Sequence, residues 1–299
     1  ALMAALQRAA QADILTEARV TGLRREPATG LRPEAAGWRL TAARPDGAAE
    51  TLTARAVLLA CNGFGGNPAM VREFLPEMRD ALFAGHAGND GTAIHLGTGL
   101  GAATADLGGY QGHGSWVVPQ GALMTWAVMM QGGVQLNAQG RRFHDETAGY
   151  SEAAVHVLAQ PGGVAWNVFS APQLALAREF PDFRDAEAAG ALREAADLAA
   201  LARLIGCDAV DLGGAALAPP FYAVKVTGAL FHTQGGLDID ARCRVRRTDG
   251  GVFATLLAAG GAARGVSGDA VWGYLSGNGL LSAVAGGFIA ARTLQEALA

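Results

Sequence analysis

Residues 228–294 read GALFHTQGGLDIDARCRVRRTDGGVFATLLAAGGAARGVSGDAVWGYLSGNGLLSAVAGGFIAARTL, and this stretch decides the fold. Its order is a Gly-rich polar turn, short extended runs, an apolar strand over 251–259, a glycine loop and a long apolar helix from about Gly277. The strand is bracketed by the Asp249-Gly250-Gly251 turn and by Gly260-Gly261. Glycine pairs of this kind punctuate elements rather than occupy them. A strand that delivers a glycine loop to a helix N-terminus brings free backbone N–H groups to an anionic or carbonyl-rich ligand.

Working outward, composition removes several classes. The 299 residues carry net charge −4 and 17% charged residues, so no basic field points to nucleic acid. Hydrophobic residues make up 51%, yet Gly or charge breaks every apolar run well short of a membrane span. The first residues lack a charged n-region with a dense apolar core. Cys61, Cys207 and Cys243 form no CxxC pair, so a zinc site or disulfide framework is not expected; no metal is, and a reducing cytoplasm fits. The 42 glycines fall between apolar segments, where turns that hug a ligand explain them.

Along the chain, residues 1–14 read as an amphipathic helix (Leu2, Leu6, Ala9 and Ala10 on one face) and 18–23 as a strand. Residues 37–42 and 49–53 alternate as a hairpin about Pro45-Asp46-Gly47. Residues 55–60 are apolar enough for a buried parallel strand, which stops at Cys61-Asn62-Gly63-Phe64-Gly65-Gly66. Gly88-Asn89-Asp90-Gly91 opens a helix that Asp90 is placed to cap; His95, inside it, reads as packed. Gly97-Thr98-Gly99-Leu100-Gly101-Ala102 fits a relaxed G-x-G-x-x-A pattern but falls at a helix end, so it reads as helix termination. Residues 165–169 read as a strand, and the Ala/Leu/Arg-rich 186–205 as one helix.

His232-Thr233-Gln234-Gly235-Gly236-Leu237, Ala258-Ala259-Gly260-Gly261, Gly265-Val266-Ser267-Gly268 and Gly277-Asn278-Gly279-Leu280 occur in the order found at the C-terminal end of the FAD-dependent oxidoreductases related to fumarate reductase and the succinate dehydrogenase flavoprotein. The chain resembles that family. The segment 132–146, with Gly132, Asn137, Gly140, Arg142, Phe143 and Glu146, is similar to the family's Gly-Ala-x-x-x-Asn-x-x-Gly-x-Arg-Phe-x-x-Glu. The implied fold is α/β: an incomplete FAD-binding Rossmann-like domain (1–110 and 229–299) with an inserted α+β capping domain (111–228). The N-terminal βαβ glycine turn of the family is not found before Gly30. The resemblance therefore implies a missing N-terminal half.

The resemblance further implies FAD as cofactor. Asn62, Gly63, Phe64 and Gly65, then Asn89, Asp90 and Gly91, would close over it. Gly235, Gly260, Gly261, Ser267 and Ser276 would line it, and Gly277, Asn278, Gly279 and Leu280 would offer helix N–H groups to the flavin. Two departures stand out: Cys61-Asn62 where the family has Thr-Gly, and Gly261 in place of a glutamate. Gly149 or Tyr150 stands where the family has its proton-donor arginine, and Trp126 and Met129 at its relay positions. Trp272 and Tyr274 occur around its carboxylate-binding arginine. These exchanges leave a dicarboxylate without partners. The reading is a dehydrogenase or reductase acting on a C–C bond next to a carbonyl or carboxyl of a small molecule other than fumarate, with an unidentified electron donor or acceptor. Tyr150 is the candidate acid/base; its alternative is a core tyrosine with a satisfied hydroxyl. His232, Thr233 and His113 are candidate substrate contacts. Arg142 pairs with Glu146 to orient the cap, or the two form an ordinary surface salt bridge. A second class stays open: a non-catalytic remnant or partner subunit.

Overall fold

The computed structural model describes residues 12–26 and 37–299, with positions 5 and 8; the helix expected over 1–14 lies largely outside the described residues. Strand Val252–Ala258 pairs in parallel with Val57–Leu59 and antiparallel with Arg244–Arg246, giving a three-stranded sheet. Leu256 and Leu257 are fully buried on opposite faces, as the continuous apolar run requires. An antiparallel sheet of Arg19–Arg25, Trp38–Ala43 and Ala49–Ala54 packs beside it. Trp38 joins the two, edge-on to Phe253 at 6.0 Å and donating its indole N–H to the Thr255 hydroxyl at 3.0 Å.

The largest sheet has seven strands around Phe221–Thr233, which pairs antiparallel with Tyr110–Val117 and Val164–Phe169. Val134–Leu136 and Ala122–Leu123 extend its ends. Its central strand is 13 residues long and ends at His232 and Thr233, so one strand carries side chains from the 111–228 segment into the 229–299 segment. The helix Tyr150–Leu158 lies on this sheet at glycine contacts. A Cβ on Gly114 would fall 2.6 Å from the Ala153 Cβ, and one on Gly112 2.8 Å from that of Ala154. That close approach brings Tyr150 onto His113.

The parallel strand, the hairpin and the last helix (Asn278–Leu298) follow the sequence reading. The single helix expected over 186–205 does not form. One helix spans Pro181–Ala188, Gly190 turns the chain at φ +78, Arg193–Ala195 pairs with Phe221–Ala223, and Asp197 caps Leu198–Ile205. Alanine content favours a helix but does not override a sheet edge that needs a partner. Beyond Val134–Leu136 the 132–146 segment turns back only as far as a bridge between Leu136 and Arg142. His95 is exposed rather than packed. Gly97 to Ala102 ends a helix, as expected: the Ala102 N–H donates to the Gly97 carbonyl at 3.0 Å.

Candidate active site

The loop after Val57–Leu59 is held from three sides. The Thr233 hydroxyl accepts the Phe64 N–H at 3.2 Å, the Gly63 carbonyl accepts the Gly91 N–H at 3.0 Å, and the Asn89 carbonyl accepts the Gly66 N–H at 2.8 Å. A side chain at Gly63 could not fit, because its Cβ would come under 3.0 Å from the Thr233 hydroxyl. Phe64 and Gly65 are buried behind the loop. Asp90 accepts the Thr92 N–H at 3.0 Å and pairs with Arg19, while Gly91 itself occupies the cap position. Burial opposes its charge, yet the Thr92 hydrogen bonds and Arg19 outweigh this and hold the carboxyl below its ordinary range.

Beside this loop is a cavity of about 320 Å³ lined by Asn62, His232, Gly260, Gly261, Gly279 and neighbours on the last helix. His232 Nδ1 lies 2.8 Å from the Thr233 carbonyl and must carry the proton; Nε2 then accepts from the Gln234 amide at 2.9 Å. Burial lowers its pKa, so the ring is neutral. A Cβ on Gly279 would come under 3.0 Å from His232 Nε2, so the first turn of the helix presses on this ring. Asn278 is buried and donates to the Ser267 hydroxyl, fixing the loop to the helix start. Ser276, Gly277 and Leu280 are exposed. Gly235 is not at the cavity: its Cβ would run into the Asp106 backbone, so it serves a chain crossing. Thr233 is 1% exposed and acts on the loop.

A second cavity, about 420 Å³, lies in the seven-stranded region. Gln111, His113, Thr125, Trp126, Tyr150 and Phe231 line it, and Asp182 is the one charged residue among its described lining. Phe231 and His232 are consecutive, so one strand contributes a wall to each cavity. His113 is stacked on Tyr150 at 4.8 Å and 23°, with Trp126 edge-on at 5.9 Å. The Ser115 N–H donates to His113 Nδ1 at 3.1 Å, which places the proton on Nε2. Burial pushes the ring's pKa down to about 3, so His113 is a neutral N–H donor. The Tyr150 hydroxyl donates to the Tyr274 hydroxyl at 3.4 Å. Burial and this neighbour push the Tyr274 phenol above its usual range. The Tyr150–Tyr274 pairing bridges 124 positions, and local sequence carries no signal for it.

Arg142 lies apart from both linings. It pairs with Glu146, whose other contacts are buried: Glu146 Oε1 accepts the Gln135 N–H at 2.7 Å, and its carbonyl accepts the Trp126 indole N–H at 3.1 Å. With the Glu146 side chain 3% exposed, this is not a surface salt bridge. It anchors Trp126, a wall of the cavity.

The glycine cradle fits a cofactor: Gly260, Gly261, Gly279 and Gly287 line it without side chains, and a 21-residue helix begins there. No group of three or more metal-ligating side chains occurs among the described residues. No helix among them is long and apolar enough to cross a membrane.

A family model described as FAD binding domain matches residues 1–280. A probable fumarate reductase of Shewanella frigidimarina is 27% identical over 261 residues, covering 79% of this chain and 43% of that protein. The open conformation of a flavocytochrome c3 fumarate reductase superposes with TM-score 0.73 at 24% identity, covering 94% of this chain and 52% of that one. A 3-ketosteroid delta1-dehydrogenase from Sterolibacterium denitrificans, solved with 1,4-androstadiene-3,17-dione, gives 0.68 at 23%, covering 93% and 59%. The chain thus spans less than half the length of the curated relative, and its fold is the FAD-binding fold of these flavoproteins.

Proposed function

Because this chain belongs to the FAD binding domain family, with FAD as cofactor, we propose that it is part of a flavin-dependent oxidoreductase acting on a C–C bond next to a carbonyl or carboxyl. Its substrate is a small organic molecule more apolar than fumarate. The observation that carries this is the aromatic cavity, whose described lining holds no Lys or Arg. Two carboxylates buried there would face Asp182 and no cation, at a desolvation cost of several kcal/mol per ion. A ketone or enone meets what it needs: aromatic walls, and a neutral His113 N–H toward its oxygen. The androstadienedione-bound neighbour supports the same direction.

The proposed division is 1–110 and 229–299 for the cofactor domain and 111–228 for the cap. Bound FAD supplies the hydride acceptor or donor. Asn62 to Gly65, Asn89 to Gly91, Gly260, Gly261 and the loop from Ser267 to Leu280 would hold it. His113 Nε2–H orients the substrate carbonyl, and His232 walls the boundary with the cofactor. Tyr150 moves a proton at the carbon beside the carbonyl, with its hydroxyl hydrogen-bonded to Tyr274. Arg142 acts through Glu146 and Trp126. The test is turnover of cyclic enones, their saturated ketones and fumarate with an artificial electron carrier. Turnover of the ketone–enone pair with none of fumarate is expected; fumarate turnover would overturn the proposal.

A second reading is a partner subunit with an incomplete cofactor site. Strand Val57–Leu59 has one edge without a partner strand among the described residues, and Leu280, Val284 and Phe288 are 76%, 66% and 64% exposed along the last helix. This surface fits a βαβ unit supplied by another segment. An absorbance spectrum after adding FAD and removing the excess separates the readings: retained flavin bands favour the enzyme, a colourless chain the subunit.

A further inference from the structure

Asn62 sits in the left-handed region at φ +65, a conformation that Asn tolerates and most residues do not. Its side-chain oxygen accepts the N–H of the next residue, Gly63, at 2.9 Å. That bond fixes which end of the amide faces the loop. The Nδ2 end has no hydrogen-bond partner among the described residues, although Asn62 lines the 320 Å³ cradle. Directly beside it, a Cβ on Gly261 would come under 3.0 Å from the Asn62 side-chain oxygen and lie 3.1 Å from the Gly63 nitrogen. Gly261 has no positive φ to explain its glycine. The space that a side chain would fill there belongs to the Asn62 amide.

We infer that Asn62 and Gly261 form one lock: the glycine at 261 makes room for the Asn62 amide, and that amide presents Nδ2–H to an oxygen acceptor of bound FAD. The inference rests on the reading that FAD occupies this cradle. An Asn62 amide turned by its Gly63 bond offers a donor, which suits a hydroxyl, carbonyl or phosphate oxygen and not another donor.

Four variants of the full chain test it, each read by two measurements: the thermal midpoint without cofactor, and FAD affinity by fluorescence titration. Asn62→Asp keeps the acceptor for the Gly63 N–H, and Asp tolerates the same φ. It leaves the midpoint unchanged and weakens FAD binding roughly tenfold or more, as one lost donor replaced by an anion should. Gly261→Ala lowers the midpoint and the affinity together. Asn62→Gly removes the donor and also the acceptor of the Gly63 N–H, so it weakens FAD binding with only a small loss of midpoint. The double variant Asn62→Gly/Gly261→Ala recovers the midpoint lost by Gly261→Ala without recovering affinity. An Asn62→Asp protein that binds FAD as tightly as wild type overturns the donor role. A double variant no more stable than Gly261→Ala overturns the lock. If the wild-type chain binds no FAD, the cofactor reading fails with the donor role, and the midpoints still decide the lock.

Discussion

The aromatic cavity and the cofactor cradle take a wall each from consecutive residues, Phe231 and His232, yet they are finished to different degrees. The cavity is built on the seven-stranded sheet and the helix Tyr150–Leu158, and is closed by Thr125–Ala127 and by the start of the helix Pro181–Ala188. His113 packs against both Trp126 and Tyr150, and the Glu146 carbonyl ties Trp126 down. The cradle has a glycine floor, a pinned loop and a helix start, but the flank of that helix shows Leu280, Leu281, Val284 and Phe288 to solvent. Contiguous apolar exposure of this kind marks a surface that is covered in use. The walls of the cavity are held by contacts with one another, while one flank of the cradle's helix is open.

The largest expected effect is at the cavity. Tyr150→Phe keeps the ring stacked on His113 and removes the hydroxyl, so kcat should fall by about 10²–10⁴-fold, the usual range for a lost acid/base. FAD retention should not change. Loss of FAD with the hydroxyl would mean that cavity and cradle are not separable. The next effect is on stability. Glu146→Ala leaves Arg142 and the Gln135 N–H without their acceptor, at a cost of roughly 3–5 kcal/mol for breaking a buried pair. A thermal midpoint lower by about 10 °C is expected. A shift under about 2 °C would place the pair back among surface bridges.

How much of this could be read from sequence follows the same division. The cradle was legible because it is local: a strand, a glycine loop and a helix start succeed one another from Val252 to Asn278. Gly235 was misplaced, since its glycine answers the Asp106 backbone 129 positions away and not a ligand. At the cavity, His113 and Tyr150 were candidates through the family resemblance, Tyr150 from its place near the proton-donor arginine. Their stacking and the Tyr274 partner depend on strand register and on glycine contacts under the helix, which no periodicity records. The 186–205 error has the same root: composition described the residues, while the open edge of strand Phe221–Thr233 decided their conformation.

A pH experiment sharpens the cavity side. His113 titrates near 6.5 when unfolded and near 3 when folded, because burial disfavours its charge. Below 6.5 the unfolded chain takes up a proton that the folded chain refuses, so this group's stability is complete above 6.5 and is lost as pH falls toward 3. The slope is about 1.4 kcal/mol per pH unit at most. His113→Asn should flatten the stability curve over that window relative to wild type. Parallel curves would mean that the ring is reached by water when folded.

The smallest effect expected is on the open flank. Val284 is 66% exposed on the last helix, and an aspartate there loses little burial and only a modest amount of helix propensity. In this chain alone, Val284→Asp should leave stability within about 0.5 kcal/mol, the ordinary range for a surface change. The same change places a charge in the middle of the apolar face. If a βαβ unit covers that face, the charge is buried there without a partner, and capture of the unit or retention of FAD should fall well beyond what the stability change explains. A marked loss of stability in the lone chain would show that the face is already packed. No change in capture or retention would leave the cradle as self-sufficient as the cavity, and the contrast between them would disappear.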